Sequence, residues 1–307
     1  MPPEAEAQRR LSFVVELEGC IGSGKSTLSK KLKQAEKEKT GNDVVIMEEH
    51  VNETFLGAFY KEVQRFAFSF QMYMLTTRLH QMDVAATTPG TILLDRGVIG
   101  DAIFALMHKA SGNISSDEWA IYSSVCKQRQ PQKLSDRVNV LVYLDVEPAT
   151  CLARISERAR GSEEKIPLGY LETLDAAYFS LLLKWMGNAL DDDSLNLASP
   201  PPPIVVLPWD TYGNTDDVLA LIESVRLGTY TTPSVSFVAK APESTDYATQ
   251  TDIERDYRTP IASFHPTSTS VSMDWKLTSS NAARRLVFRL LAHGVSLTFW
   301  GSGGTGP

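Results

Sequence analysis

With 307 residues and 43% hydrophobic content, the chain can bury one large globular domain with an appendage, or two small ones. Its net charge of −7 argues against a general nucleic-acid grip, which needs a basic surface. The three cysteines, Cys20, Cys126 and Cys151, are scattered and form no C-x-x-C pair, so zinc is disfavoured and a reducing compartment fits.

The first ten residues, MPPEAEAQRR, read as a frayed lead without the apolar core of a signal peptide. Phe13–Leu17 is an apolar, β-prone run that opens into a glycine-rich turn, and a helical pattern runs from Lys25 to about Lys39. The turn and helix start match G-x-x-x-x-G-K-[ST]: Gly19, Cys20, Ile21, Gly22, Ser23, Gly24, Lys25, Ser26 and then Thr27. Glycines let backbone N–H groups curl around phosphate oxygens, and the helix start adds its positive dipole end. Lys25 supplies a mobile cation for the outer phosphates, and Ser26 offers a hydroxyl to Mg²⁺. A strand before the turn and a helix after it make nucleotide binding the preferred reading over a plain glycine turn.

Gly41-Asn42-Asp43 breaks the helix, and Val44–Met47 is a second short strand ending at Glu48-Glu49-His50. Phe55–Ala86 reads as long helices rich in aromatics and methionine, stopped by Pro89-Gly90. Thr91–Leu94 is a third strand that runs into Asp95-Arg96. Helices are predicted over Asp101–Lys109 and Ser116–Lys127, and Val138–Leu144 is a fourth strand. Pro148 opens a helix carrying CLARISERAR, and Leu168–Leu190 is helical again. A proline-rich linker leads to a fifth strand, Ile204–Leu207, and Asp216–Leu227 is a further helix. Strands alternating with helices predict an α/β fold, a five-stranded parallel sheet with helices on both faces. Residues 229 to 281 are rich in Ser, Thr and Pro and read as a weakly ordered or surface-wrapping segment. Residues 282 to 307 read as a basic amphipathic helix (AARRLVFRLLAH) and a flexible tail; packing on its own domain is favoured over docking on a membrane. No apolar run reaches membrane-spanning length, so the expectation is a soluble cytoplasmic protein.

In an open parallel sheet, ligands sit outside the carboxyl ends of the strands. Glu49 and Asp95-Arg96 follow strands two and three and should meet the phosphate loop there. Glu49 is placed to accept a proton from a substrate hydroxyl, Asp95 to hold Mg²⁺, and Arg96 to neutralise charge on a moving phosphoryl group. Strand-end carboxylates can also simply cap turns. Arg154, Arg158 and Arg160 suit a cationic lid closing over phosphates, or a solvated helix end paired with Glu157, Glu163 and Glu164. Gln71, set among Phe66, Phe68 and Phe70, needs polar partners: a nucleobase edge, backbone or water.

In this order the segments EGCIGSGKST, EEHV, YKEVQRFAFSFQMYMLTTR, LLDRGVIGD and CLARISERARGSEEKIPLGYLETL resemble the deoxyribonucleoside kinase family, over about residues 12 to 227. The resemblance implies a P-loop kinase domain over 1 to 228 with an arginine-rich lid, Mg²⁺, ATP as phosphoryl donor and a homodimer through the early helices. It implies that Glu49 is the base for the sugar 5′-hydroxyl and that Arg96 contacts the 5′ end. Lys25 and Arg158 would join them in catalysis. Arg154, Arg158 and Arg160 match the lid arginines. Tyr60 and Glu163 look like the holders of the sugar 3′-hydroxyl, and Gln71 looks like the residue that pairs with the base edge. Phe70 and Phe104 would flank the base. The donor's adenine would lie near Trp209 to Tyr212, with Asp210 among its contacts. Arg78 and Asp101 match a pair carried by deoxycytidine and deoxyguanosine members, which implies a preference for deoxycytidine and purine deoxynucleosides over thymidine. The departures are His50 for a proline, Thr54 for a tryptophan, Gly97 for a serine, and Gly161 and Ser162 before Glu163. A thymidine-preferring or broad-specificity kinase, a nucleoside monophosphate kinase and a non-catalytic nucleotide-binding scaffold are the competing readings.

Overall fold

The computed structural model describes residues 12–129, 138–158, 163, 166–187, 201–238, 270–274, 278 and 281–300. Strands β1 (Ser12–Gly19), β2 (Val44–Met47), β3 (Gly90–Asp95), β4 (Val140–Asp145) and β5 (Ile204–Pro208) form one parallel sheet in the order β2-β3-β1-β4-β5. The central strands are buried on both faces, which is why they read as continuous apolar runs. The crossovers are helices: α1 (Lys25–Thr40), α2 (Glu53–Lys61), α3 (Val63–Thr87), α4 (Val98–Ala110), α5 (Ser116–Arg129), α6 (Pro148–Arg158) and α7 (Leu168–Met186); α8 (Thr215–Arg226) follows β5.

Local chemistry sets these boundaries. Asn52 caps α2, its side-chain oxygen accepting from Thr54 N–H (3.0 Å) and Phe55 N–H (3.2 Å). The long helical run predicted from Phe55 is broken at Glu62, which lies between α2 and α3. Buried Ala67, Gln71, Leu75, Arg78, Leu79, Met82 and Ala85 recur three or four residues apart along α3, so one face of that helix is turned inward. Two of those inward positions are polar, and both belong to the site. Helix α4 begins at Val98, three residues before the predicted Asp101, because the turn at Arg96-Gly97 launches it directly from β3.

The C-terminal part holds more regular structure than expected. Strands β6 (Val235–Val238), β7 (Ser270–Asp274) and β8 (Ser296–Trp300) form a second parallel sheet in the order β6-β8-β7, and helix α9 (Asn281–Ala292) packs against β5. The expectation of weak order over 229 to 281 is corrected at β6 and β7. Each strand is four or five residues long, too short to leave a periodic signal. The predicted amphipathic helix is α9, and its apolar side chains Leu286, Val287, Phe288 and Leu291 are buried. Tail residues 301–307 lie outside the described residues, as does most of the proline-rich linker. No described helix is long and apolar enough to cross a membrane.

Candidate active site

The carboxyl ends of β1, β2 and β3 open into one cavity of about 570 Å³. Its lining runs from the phosphate loop (Gly22, Gly24, Lys25, Ser26, Thr27) past Glu49, Asp95 and Arg96 to Gln71, Arg78, Asp101 and Phe104. Tyr60, Phe70, Arg158 and Glu163 also line it. Residues far apart in sequence thus meet on one wall-to-wall space.

The loop at the end of β1 is fixed by close approach. Gly22 has φ +81°, and a Cβ there would lie 2.5 Å from the carbonyl oxygen of Cys151. Lys25 Nζ donates to the carbonyls of Gly19 (3.2 Å) and Cys20 (3.0 Å) and to Ser23 Oγ (3.4 Å). Burial, then the neighbouring charge of Arg96, lowers the Lys25 ammonium to about 8. Ser26 Oγ donates to Asp95 Oδ2 at 2.5 Å, while the buried Asp95 Oδ1 has no hydrogen-bond partner among the described residues. A hydroxyl beside an unsatisfied carboxylate oxygen fits a hard divalent cation, which prefers oxygen ligands. Among the described residues no cluster of three or more His, Cys, Asp or Glu side chains could hold a metal by itself, so a cation here would share its shell with donor phosphates and water.

Glu49 stands between two guanidinium groups. Its Oε1 pairs with Arg78 Nη2, and its Oε2 lies 3.5 Å from Arg96 Nε. Burial pushes the Glu49 carboxyl up, but the charges of Arg78, Arg96 and Lys25 outweigh it and hold the group below the ordinary range. The carboxylate is therefore ionised and about 30% exposed, with lone pairs left to accept from a hydroxyl in the cavity. Arg96 is locked from behind: Nη1 donates to Tyr178 OH at 2.5 Å and lies 3.5 Å from Glu18 Oε2. Its φ of +69° is the one positive value at a non-glycine among the described residues.

At the far end, Gln71 Nε2 donates to the Asp101 carbonyl (3.0 Å) and to Asp101 Oδ1 (2.7 Å), and Tyr122 OH donates to Asp101 Oδ2 (2.5 Å). The expected direct Arg78–Asp101 pair is not formed. Arg78 turns instead to Glu49, where full ionic pairing is available, and Asp101 keeps neutral donors. Burial raises the Asp101 carboxyl to about 7, despite those donors and the nearby charge of Arg78. Phe59, which motif reading missed, stacks on Phe70 with ring centres 4.9 Å apart and meets His108 edge-on at 5.3 Å. His108 also lines the cavity, and burial lowers its imidazole to about 4, so it is neutral. Its only sequence signal was its place one helical turn after Phe104 on α4.

The lid residues divide. Arg158 pairs with Glu163, and both face the cavity. Burial, then the charges of Glu163 and Glu49, raises the Tyr60 phenol, so it stays protonated as a donor. Arg154 is set aside from the cavity: its guanidinium donates to the carbonyls of Ser23 (3.0 Å), Trp209 (3.0 Å) and Asp210 (2.7 Å), and lies over the Tyr212 ring. It ties the phosphate loop to the segment after β5. Asp210 accepts from Glu147 N–H at 2.7 Å. Arg160 and Glu164 lie outside the described residues. Gly19, Cys20 and Ser23 shape the loop without lining the cavity.

A parallel sheet with an anion loop, an ionised carboxylate and a polar pocket sharing one cleft defines a P-loop phosphotransferase. The family model for deoxynucleoside kinases matches residues 15–217, and the chain belongs to that family. It is an enzyme of that kind, a deoxynucleoside kinase. The chain is 30% identical over 214 residues to the deoxyguanosine kinase of Dictyostelium discoideum, covering 68% of each protein. It is 29% identical over 166 residues to the deoxyadenosine/deoxycytidine kinase of Bacillus subtilis, covering 54% of this chain and 74% of that one. Among solved structures, a deoxyadenosine kinase from M. mycoides with dCMP and dCDP bound shares the fold, with TM-score 0.55 and 24% identity over 71% of this chain and 100% of that one.

Proposed function

We propose that this kinase moves the γ-phosphoryl group of ATP to the 5′-hydroxyl of a deoxynucleoside, preferring deoxycytidine and purine deoxynucleosides to thymidine. The observation that carries it is the cavity itself: ionised Glu49 lines one space with Lys25 of the phosphate loop and with Gln71 and Asp101, and lies near enough to Lys25 to feel its charge.

Glu49 orients the 5′-hydroxyl and accepts its proton. The two guanidinium neighbours make it a modest base, so its larger part is positioning, which suits a loose phosphoryl transition state. Arg96, Lys25 and Arg158 carry the charge that moves onto the transferred group. Ser26 and Asp95 would hold Mg²⁺, which supplies charge neutralisation on the donor phosphates. Tyr60 and Glu163 would hold the sugar 3′-hydroxyl, and Phe70 and Phe104 the faces of the base. Asp210 and the Trp209–Tyr212 segment would lie at the adenine, with Arg154 ordering that wall from behind and Arg160 closing with the lid.

Base preference follows from the orientation of Gln71. Asp101 takes both Nε2 donor contacts, which leaves Oε1 as the acceptor presented to a base. An amino group of cytosine or adenine satisfies it; the 4-keto oxygen of thymine does not, and a site built for one polarity rejects the other. Guanine also carries a keto oxygen at this edge, so deoxyguanosine belongs to the proposed preference through the Arg78–Asp101 resemblance and not through this contact. Steady-state phosphorylation of the four deoxynucleosides tests this: deoxycytidine or a purine deoxynucleoside should have the highest kcat/KM, and thymidine as best substrate would refute the preference. The same proposal includes a homodimer through the early helices, measurable by sedimentation, and a cytoplasmic setting, suited to three free, buried cysteines.

A further inference from the structure

Glu16 and Glu18 stand two residues apart on one face of β1, and neither exposes any surface. Two carboxyls buried side by side in a central strand are costly unless each finds a partner. Glu18 has several. Its Oε1 accepts from the N–H groups of Gly97 (3.0 Å) and Gly100 (3.0 Å), and its Oε2 accepts from Tyr178 OH (2.7 Å) and lies 3.5 Å from Arg96 Nη1. Glu16 has one, Ile99 N–H to Oε1 at 3.3 Å, and its Oε2 meets no donor among the described residues. An oxygen without a donor is satisfied when it carries the proton itself, and both carboxyls converge on Gly97, whose N–H donates to Glu18 and whose missing side chain is replaced by the Glu16 carboxyl. Burial, then the charge of Glu18, pushes the Glu16 acid well above the usual carboxylate range.

Glu16 also fills space that another residue would claim. A Cβ on Gly97 would lie 2.3 Å from the Glu16 carboxyl carbon, and one on Gly100 would lie 2.5 Å from Glu18 Oε1. Arg96 and Gly97 are the turn, with Arg96 in a left-handed conformation, and residues 98 to 100 are the first turn of α4. Such a conformation in a non-glycine residue persists only where the surroundings over-determine it.

We propose that Glu16 is a positioning residue for phosphoryl transfer: its carboxyl occupies the place of a side chain at Gly97, braces Glu18, and through Glu18 holds the Arg96 turn with its guanidinium facing Glu49. The proposal rests on the kinase reading of the site. Loss of the brace lets the turn relax and misaims Arg96, which lowers kcat more than it weakens nucleoside binding at Gln71.

The test compares E16Q, E16A, G97S and the double variant E16A/G97S, with kcat and nucleoside KM measured beside thermal melting. E16Q keeps the shape and the neutral hydrogen bond, so its kcat should stay within about 3-fold of wild type, while E16A and G97S each lose about 10- to 100-fold with KM changed far less. Removing the Glu16 carboxyl makes room for a serine, so E16A/G97S should recover about 10-fold or more over G97S. Wild-type kcat in E16A, or a G97S effect that is the same in both backgrounds, overturns the proposal. If E16A does not fold, the double variant decides: folded and active supports the brace, unfolded overturns it. A wild-type enzyme that phosphorylates none of the four deoxynucleosides would instead refute the kinase reading itself.

Discussion

In the proposed reaction, Glu49 is the residue on which the chemistry turns. It is ionised because three cations outweigh its burial, and it faces the cavity between phosphate loop and base pocket. Glu49→Gln should therefore lower kcat by about 100-fold or more while nucleoside KM changes little, read by steady-state kinetics. Lys25 sets the pH range. With its ammonium at about 8, the free enzyme loses this cation as pH rises through that value, so kcat/KM for ATP should fall on the alkaline side above about pH 8. Asp101 acts on stability in the opposite range. Its carboxyl is raised from 3.8 to about 7, so between those values the unfolded chain has lost a proton that the folded chain keeps, and stability falls as pH rises through that window. Melting curves of D101N should show a smaller decline over the same window. Of these groups, Lys25, Glu49, Asp95 and Arg96 were legible from motif and strand order. The Arg78–Glu49 pair was not, because sequence spacing cannot say which of two nearby carboxylates a guanidinium will choose. Glu16 and Glu18 were hidden because a charged residue in a strand carries no sign of the glycines that make room for it.

The elements carry the site through their ends. Helix α2 presents Tyr60 to the cavity, and its start depends on the Asn52 cap. N52A should cost about 1 kcal/mol, read as a shift in denaturant midpoint at constant m. Helix α9, beyond the family's matched span, is tied into the kinase fold by Arg285. Its guanidinium pairs with Asp145 at the end of β4, lies 3.2 Å from Asp175 Oδ1 on α7, and donates to the Val146 carbonyl. All three side chains are 4% exposed or less. Removing one partner of a buried ion pair strands the others, so R285A should lose about 3–5 kcal/mol of unfolding free energy. The additional changes D145N and D175N should restore part of it. Helix α9 was visible in the sequence from its amphipathic spacing, and α3 from its long run of aromatic and methionine residues ended by Pro89-Gly90. The short strands β6, β7 and β8 were not, since their pairing is decided by partners far along the chain.

Across the whole molecule, the order β2-β3-β1-β4-β5 brings the ends of β1, β2 and β3 to one edge, and the phosphate loop, Glu49 and Asp95-Arg96 meet there. That convergence was expected from strand–helix alternation alone, and the cavity has the size and polarity for a nucleoside beside a phosphate chain. The most direct measurement is deoxynucleoside-dependent ATP consumption by wild type and E49Q at saturating MgATP. The predicted result is turnover by wild type with at least one of the four deoxynucleosides, and a loss of about 100-fold or more in E49Q at a similar KM. Near-normal turnover by E49Q, or ATP consumption indifferent to any nucleoside, would contradict it.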